Sequence, residues 1–460
     1  MISRRAILGG AAATAAASAL FADTPSAPRS AGVSSGADFD PITANIGRTS
    51  LNTPAQSPGV PGKDYTPVYM PNGSTLPFTI VNGAKVMHLI AGPCEHEFTP
   101  GLRASCWGYN GVTPGPTIEA VAGDRLRIYV TNRLPAPTTV HWHGIRVPNG
   151  MDGVNGLTQP AIAPGETYRY EFVVPEAGTF MYHPHFDEMT QQGLGMMGMF
   201  IVHPRPGAAG AGAGEARPDR DYVIMLSEWR MDPGATRPNP IEMVDFNVLT
   251  MNSKVYPSTE PIVAQMGERV RIRFGNLGAM DHHPIHLHGF QMTLVETDGG
   301  IVPLTARFAA NTVLVPVGST RAVEFIADNP GDWPMHCHMT HHTMNQMGHE
   351  SPNMVDAKMG GIDDKIRAIV PGYMSMGQNG MEGMTDMSGM MPAPANSIPM
   401  LGGHGQFGTI DMGGMFTLVK VREKLTGYGD PGNYAFPPDT LARPATADEL
   451  RRDGIDLEAR

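Results

Sequence analysis

Four His-x-His pairs, His141/His143, His183/His185, His286/His288 and His336/His338, recur along this chain and constrain its fold more than any other feature. With 17 histidines in 460 residues, chance would supply roughly 0.6 such pairs. Residues i and i+2 of an extended strand share one face and lie ~6.6 Å apart, so a pair on a strand can grip neighbouring ions in a compact cluster. Eight such imidazoles call for a strand-rich fold that brings distant segments together.

The rest of the sequence agrees with an all-β reading. Its 55 Gly and 42 Pro punctuate short alternating runs such as Arg125–Val130 and Thr167–Val173, as half-buried strands require. These runs fill residues 61–204. Residues 205–220 (RPGAAGAGAGEARPDR) then break the pattern as a flexible linker. A second strand-rich region, 221–430, contains Tyr222–Leu226, Arg269–Phe274, Arg321–Ile326 and a last strand at Met415–Val421. Both regions read as Greek-key sandwiches. They also echo each other, because Gly123-Asp124-Arg125 and Gly267-Glu268-Arg269 each open a strand that precedes a histidine cluster, as an internal duplication would. An insert at 354–415 holds 12 of the 32 methionines, and residues 431–460 form a C-terminal tail.

The densest chemistry lies at His336-Cys337-His338, followed by His342 and Met347. On a strand, His336 and His338 face one way and Cys337 the other, so one tripeptide could connect two metal sites. The order Cys-x4-His-x4-Met supplies a thiolate, an imidazole and a weak thioether, most of a blue-copper electron-transfer site. His283, in His283-Pro284-Ile285-His286-Leu287-His288-Gly289, offers the missing imidazole. His282 competes with it and is read as a second-shell or solvent residue. His341 and His349 do not fit the count and are read as bystanders or outer tuning groups. Structural zinc closes with four ligands and has no use for a neighbouring His-Cys-Met set, so copper is the better match.

The formal charge of -11 and the absence of a basic stripe exclude a nucleic-acid binder. Ser3-Arg4-Arg5-Ala6-Ile7-Leu8 and the Ala-rich run to Ala22 read as a twin-arginine export signal, 1–22, ahead of a flexible lead-in, 23–60. No other stretch is long and apolar enough to span a bilayer, so a periplasmic or secreted location is expected, with no stable membrane span in the mature form. Three cysteines leave one unpaired. With Cys337 reserved for metal, Cys94 and Cys106 could form a disulfide or remain two buried thiols.

His141-Trp142-His143-Gly144, Tyr182-His183-Pro184-His185, the His283–Gly289 segment and His336-Cys337-His338 together resemble the four signatures of the multicopper oxidase family. The resemblance implies two cupredoxin-like domains and four coppers per chain. It places a type 1 copper on His283, Cys337, His342 and Met347, a type 2 copper on His141 and His286, and a type 3 pair on His143, His183, His185, His288, His336 and His338. Only 98 positions separate His185 from His283, too few for a complete intervening domain, so the chain resembles the two-domain branch. That branch implies a homotrimer whose clusters lie between subunits. Pro184 stands where a first-domain type 1 cysteine could sit, which leaves only the second domain blue.

The implied reaction couples four one-electron oxidations to reduction of O2 to water. Asp152 matches the position of a family proton-relay acid. Thr340 and Thr343 stand where other family acids occur, and Asp187 or Glu188 could substitute for them. The reducing substrate could be a phenol, an aromatic amine or Cu(I), and the soft Met-rich insert raises a cuprous oxidase for copper tolerance as the alternative role. A copper nitrite reductase has no need of eight paired imidazoles, and a copper carrier or electron-transfer cupredoxin needs only one site.

Overall fold

The computed structural model describes residues 54–207 and 216–343 apart from 233 and 299, residues 365, 368, 369 and 396, and residues 403–457 apart from 411. The export signal, Met347, His349 and nearly all of the Met-rich insert therefore lie outside the described residues. The described residues belong to a single compact unit, Thr49–Arg460.

Strands dominate, and they form two sandwiches. In the first, a sheet of Gly115–Val121, Gly198–His203, Gly178–His183 and His141–His143 is one layer. The other layer contains Thr79–Val81, Ala84–Thr99, Leu102–Tyr109, Arg125–Asn132 and Thr167–Val173. Ile128, Val130, Trp142, Phe180, Tyr182 and Phe200 are among the buried side chains that fill the first core. In the second sandwich, the sheet Ile262–Gln265, Phe416–Arg422, Gly331–Cys337, His283–Leu287 and Thr312–Val315 is one layer. It packs with the layer built on Arg220–Trp229, Arg269–Asn276, Thr320–Ile326 and Met292–Thr297 through Ile272, Phe274, Ile285, Val323 and Met335. The strands expected at Arg125, Thr167, Tyr222, Arg269, Arg321 and Met415 all form, Thr167–Val173 with the expected bounds and the others with ends shifted by at most three residues.

The two echoed tripeptides are tight turns built by the same physics. Gly123 (φ +92°) and Gly267 (φ +88°) adopt a left-handed backbone that favours glycine. The following acid then accepts a backbone N–H from three residues earlier, Val121 to Asp124 at 2.9 Å and Gln265 to Glu268 at 2.8 Å. Asp124 also binds Lys85 and Arg205, each at 2.8 Å, which ties the segment after the strand Gly198–His203 to the first sandwich.

A third apolar cluster, including Phe98, Cys106, Met199, Met225 and Trp229, joins the sandwiches. Beside it lies a buried ion network. Arg273 reaches Asp221 at 2.8 Å, Glu296 at 2.8 Å and the Thr179 hydroxyl at 2.7 Å, and Glu296 also accepts from Thr179. Each charge is paired and hydrogen-bonded, the condition for tolerating it inside. Cys94 and Cys106 stand directly opposite each other on neighbouring strands, yet both are free buried thiols. The disulfide alternative is therefore replaced by the two-thiol one, and burial pushes the Cys94 thiol up to about 11. Among the described residues, no helix is long and apolar enough to cross a membrane.

Candidate metal centres

Strand parity builds both sites in the second sandwich. Residues 283–287 form a strand with alternating burial, and it pairs with 331–337 so that Ile285 faces Cys337 and His286 faces His336. Directly opposed residues share a face, so His283, in phase with Ile285, lies on the inner face with Cys337. His286 points outward with His336.

On the inner face, a short turn at Thr340–Thr343 returns His342 to Cys337. His283, Cys337 and His342 are all fully buried. Their donor atoms form a triangle: His283 Nδ1 to His342 Nδ1 3.1 Å, Cys337 Sγ to His342 Nδ1 3.3 Å, and Cys337 Sγ to His283 Nδ1 3.8 Å. An ion at its centre would sit about 2 Å from each donor, a first-row metal bond length, and the soft thiolate with two imidazoles is a copper-type set. Three buried donors this close, with no hydrogen-bond geometry to explain all three contacts, fit a metal better than a polar core.

Burial pushes the Cys337 thiol up to about 12 and holds His342 down at about 4. The second imidazole further lowers His342. A neutral imidazole is ready to ligate, whereas the thiol must release its proton to the incoming ion.

Two carboxylates stand behind this triangle. Glu228, fully buried on the strand 220–229, lies 3.4 Å from His283 Nε2. Burial alone would raise its carboxyl, but the His283 imidazole and the N–H groups of Met280 and Asp281 outweigh this and hold it low. Asp281, partly exposed, lies 3.5 Å from His342 Nε2, an atom with no hydrogen bond of its own. Neither acid was singled out from the sequence. Glu228 had one signal, a lone charge in the apolar run Tyr222–Trp229.

On the outer face, the rings of His288, His336 and His338 lie 4.7 to 5.7 Å from that of His286. His288 Nε2 and His336 Nε2 approach to 3.2 Å. His286 donates Nδ1–H to Asn311 O at 2.7 Å and His336 donates Nδ1–H to Cys337 O at 2.8 Å, which turns each Nε2 towards the cluster.

The first sandwich repeats the arrangement. His141 faces His183 across paired strands. The rings of His143, His183 and His185 lie 5.4 to 5.8 Å from that of His141, and His143 Nδ1 is 3.2 Å from His183 Nε2. Trp142 points the opposite way into the core, in contact with Tyr170 and Tyr182. Burial holds His183 down at about 3 and also lowers His143.

Asp152 accepts Nδ1–H of His141 through its backbone oxygen at 2.8 Å, with its carboxylate 3.5 Å away. Glu188 lies 3.3 Å from His183 Nδ1 and 4.0 Å from His185 Nε2. Asp187 initiates the short helix that follows, and Thr343 donates to Thr340 O. His282 is exposed and accepts Val317 N–H at 3.1 Å, and His341 is exposed, so neither enters the triangle.

Among the described residues, no ring contact links the first-sandwich histidines to the second-sandwich set. The two sets meet different ends of the segment around the strand Thr312–Val315. His286 sits against Asn311 and Thr312 at its start, whereas His143 lies beside Gly318, past its end, where an added Cβ would be 4.0 Å from His143 Cε1. Four strand residues alone span ~10 Å.

Models of multicopper oxidase domains match residues 93–207 and 232–355, together just over half of the chain. Copper resistance protein A of Escherichia coli is 28% identical over 334 residues, covering 55% of this chain and 53% of that protein. Multicopper oxidase MmcO of Mycobacterium tuberculosis is 32% identical over 234 residues, covering 43% and 44%. The crystal structure of blue copper oxidase from Nitrosomonas europaea superposes with a TM-score of 0.52 at 27% identity, covering 76% of this chain and 91% of that one. The chain spans about half the length, or less, of the curated relatives it matches.

Proposed function

The chain belongs to the multicopper oxidase family, whose cofactor is copper, and from that premise we propose that it couples one-electron oxidation of a reducing substrate to four-electron reduction of O2 to water. One observation carries this reading: Cys337 completes a buried triangle with His283 and His342, while its chain neighbours His336 and His338 belong to a four-histidine set on the other face. Copper would supply the one-electron redox steps and the storage of electrons that lets O2 be reduced without release of superoxide or peroxide.

His283, Cys337 and His342 would hold the type 1 ion, with Met347, outside the described residues, as its fourth ligand. His141 and His286 would hold the type 2 ion. His143, His183, His185, His288, His336 and His338 would hold the type 3 pair. Cys337 would carry the electron through two covalent neighbours, His336 and His338, to the far face. At the entry side, Asp281, partly exposed and 3.5 Å from His342 Nε2, would accept the proton that a phenol or aromatic amine loses on oxidation. On the far side, Asp152 and Glu188 would hold and deliver the protons that water formation requires.

The separation of the two histidine sets favours a shared site. Each set offers four imidazoles, and a head-to-tail ring of three chains would bring the first-domain set of one to the second-domain set of its neighbour. Export by the twin-arginine signal to the periplasm or beyond would place the enzyme where copper and aromatic reductants meet.

A cuprous substrate is the second reading. It is favoured by Met280 and Met339, exposed thioethers that flank the buried triangle in sequence. The Met-rich insert would add soft ligands of the same kind.

Oxygen uptake measured with a phenol and with Cu(I) tests both readings. Four electrons consumed per O2, with no peroxide, is expected. Peroxide as the main product would contradict the four-electron reaction, and about one copper per chain with no uptake would leave only a carrier or simple cupredoxin.

A further inference from the structure

Glu228 has an unusually elaborate setting for an acid in a β-sandwich. Its Oε1 accepts two backbone N–H groups, from Met280 at 2.7 Å and Asp281 at 3.1 Å. Its Oε2 lies 3.4 Å from His283 Nε2. The loop 276–283 is folded around the carboxylate, and Asn276 Oδ1 holds Gly278 N–H at 2.9 Å. A Cβ added at Gly278 would fall 1.8 Å from Glu228 Oε2, so only glycine lets the loop close there.

The geometry therefore presents a buried anion to the outer nitrogen of His283, the ring whose inner nitrogen faces Cys337. Resting on the type 1 assignment above, we propose that Glu228 is the positioning residue of that site: it fixes the His283 ring and holds a negative charge behind the copper that favours the oxidised state. Two principles support this. A carboxylate that accepts the outer N–H of a ligating histidine fixes its tautomer and raises its basicity. A fixed charge in a low-dielectric interior also acts more strongly than in water, and the oxidised site carries one more positive charge than the reduced site. A glutamate that merely closes the 276–283 loop would do neither.

The test is potentiometric titration of the blue absorption in the copper-loaded full chain, comparing wild type, Glu228→Gln and Glu228→Asp. Glutamine keeps the size and one carbonyl for the loop but removes the charge and turns a donor towards His283. Its reduction potential is expected to rise by at least tenfold in the reduced-to-oxidised ratio, about 59 mV for one electron. Copper retention against a chelator should fall by roughly tenfold or more. Aspartate keeps the charge one methylene further away and should shift the potential in the same direction by less.

A glutamine variant that is blue and titrates at the wild-type potential would overturn the proposal. If glutamine prevents folding, a wild-type potential in the aspartate variant overturns it instead. A wild type with no blue band would overturn the copper assignment itself, which separates that failure from one confined to Glu228.

Discussion

His286 stands directly opposite His336 across two antiparallel strands, and His141 stands directly opposite His183 in the same way. The same cross-strand pair thus anchors a four-histidine set in each sandwich. Because side chains alternate with a period of two, a one-residue slip of either pair would send the imidazoles into the core. The neighbouring side chains oppose such a slip. Trp142 and Tyr182 face each other in one core, and Ile285 and Cys337 in the other.

Asp152 and Glu188 border the first-sandwich set without belonging to the buried triangle. Asp152→Asn and Glu188→Gln should each lower O2-linked turnover, and the double variant by roughly 10²-fold, the usual scale for a positioned acid or base. The blue band and its potential should stay unchanged. Steady-state oxygen uptake and potentiometry check this together, and full turnover in the double variant would remove both from the proton path.

Arg273 is buried among Asp221, Glu296 and Thr179, with no solvent to compensate a lost partner. Replacing it by methionine strands Asp221 and leaves Glu296 only Thr179 and a longer pair with Arg271 at 3.7 Å, and should destabilise the protein by about 3–5 kcal/mol. Arg169, an exposed partner of Glu171, should cost no more than about 0.5 kcal/mol when changed to alanine. Denaturant unfolding of the two variants measures the contrast.

His96 bridges the sandwiches through Ser253 O at 2.6 Å, and burial holds its pKa at about 4, against the lesser opposing pull of that bond. Below about pH 6.5 the unfolded chain takes up a proton at this position that the folded chain refuses. Stability therefore rises with pH between about 4 and 6.5 and is lost as pH falls through that window. His96→Gln can keep a donor towards Ser253 O, yet it should flatten the stability slope of the metal-free protein there by about 1.4 kcal/mol per pH unit. Unfolding midpoints at pH 4.5, 5.5 and 6.5, chosen as about evenly spaced points in the window, would show this; parallel curves would refute it.

Much of this arrangement was legible in the sequence, because its period is local. His-x-His spacing suits a strand, and the position of Cys337 between two such histidines already suggests the other face, although the strands end at His183, Leu287 and Cys337, so that His185, His288 and His338 lie just past them. The companions of the triangle were not legible. Glu228 reaches His283 from a strand 55 positions earlier, through a loop closure that depends on Gly278. Asp281 reads as an ordinary loop acid until His342 folds back beside it. Cys94 and Cys106 illustrate the opposite limit, since counting cysteines allowed a bridge that the structure does not form. Met347 lies outside the described residues, so the fourth ligand still rests on spacing and resemblance.

The trimer reading requires each oxygen-reducing site to be completed between chains. Co-expression of a His141→Ala/His143→Ala chain with a His336→Ala/His338→Ala chain tests it most directly, because each is inactive alone for a different half-site. In randomly mixed rings, roughly one quarter of the interfaces would join two intact halves, and about that fraction of wild-type oxygen uptake should return. Mixed assemblies that stay inactive, although both chains are folded and associated, would place both halves of each site within one chain and contradict the claim.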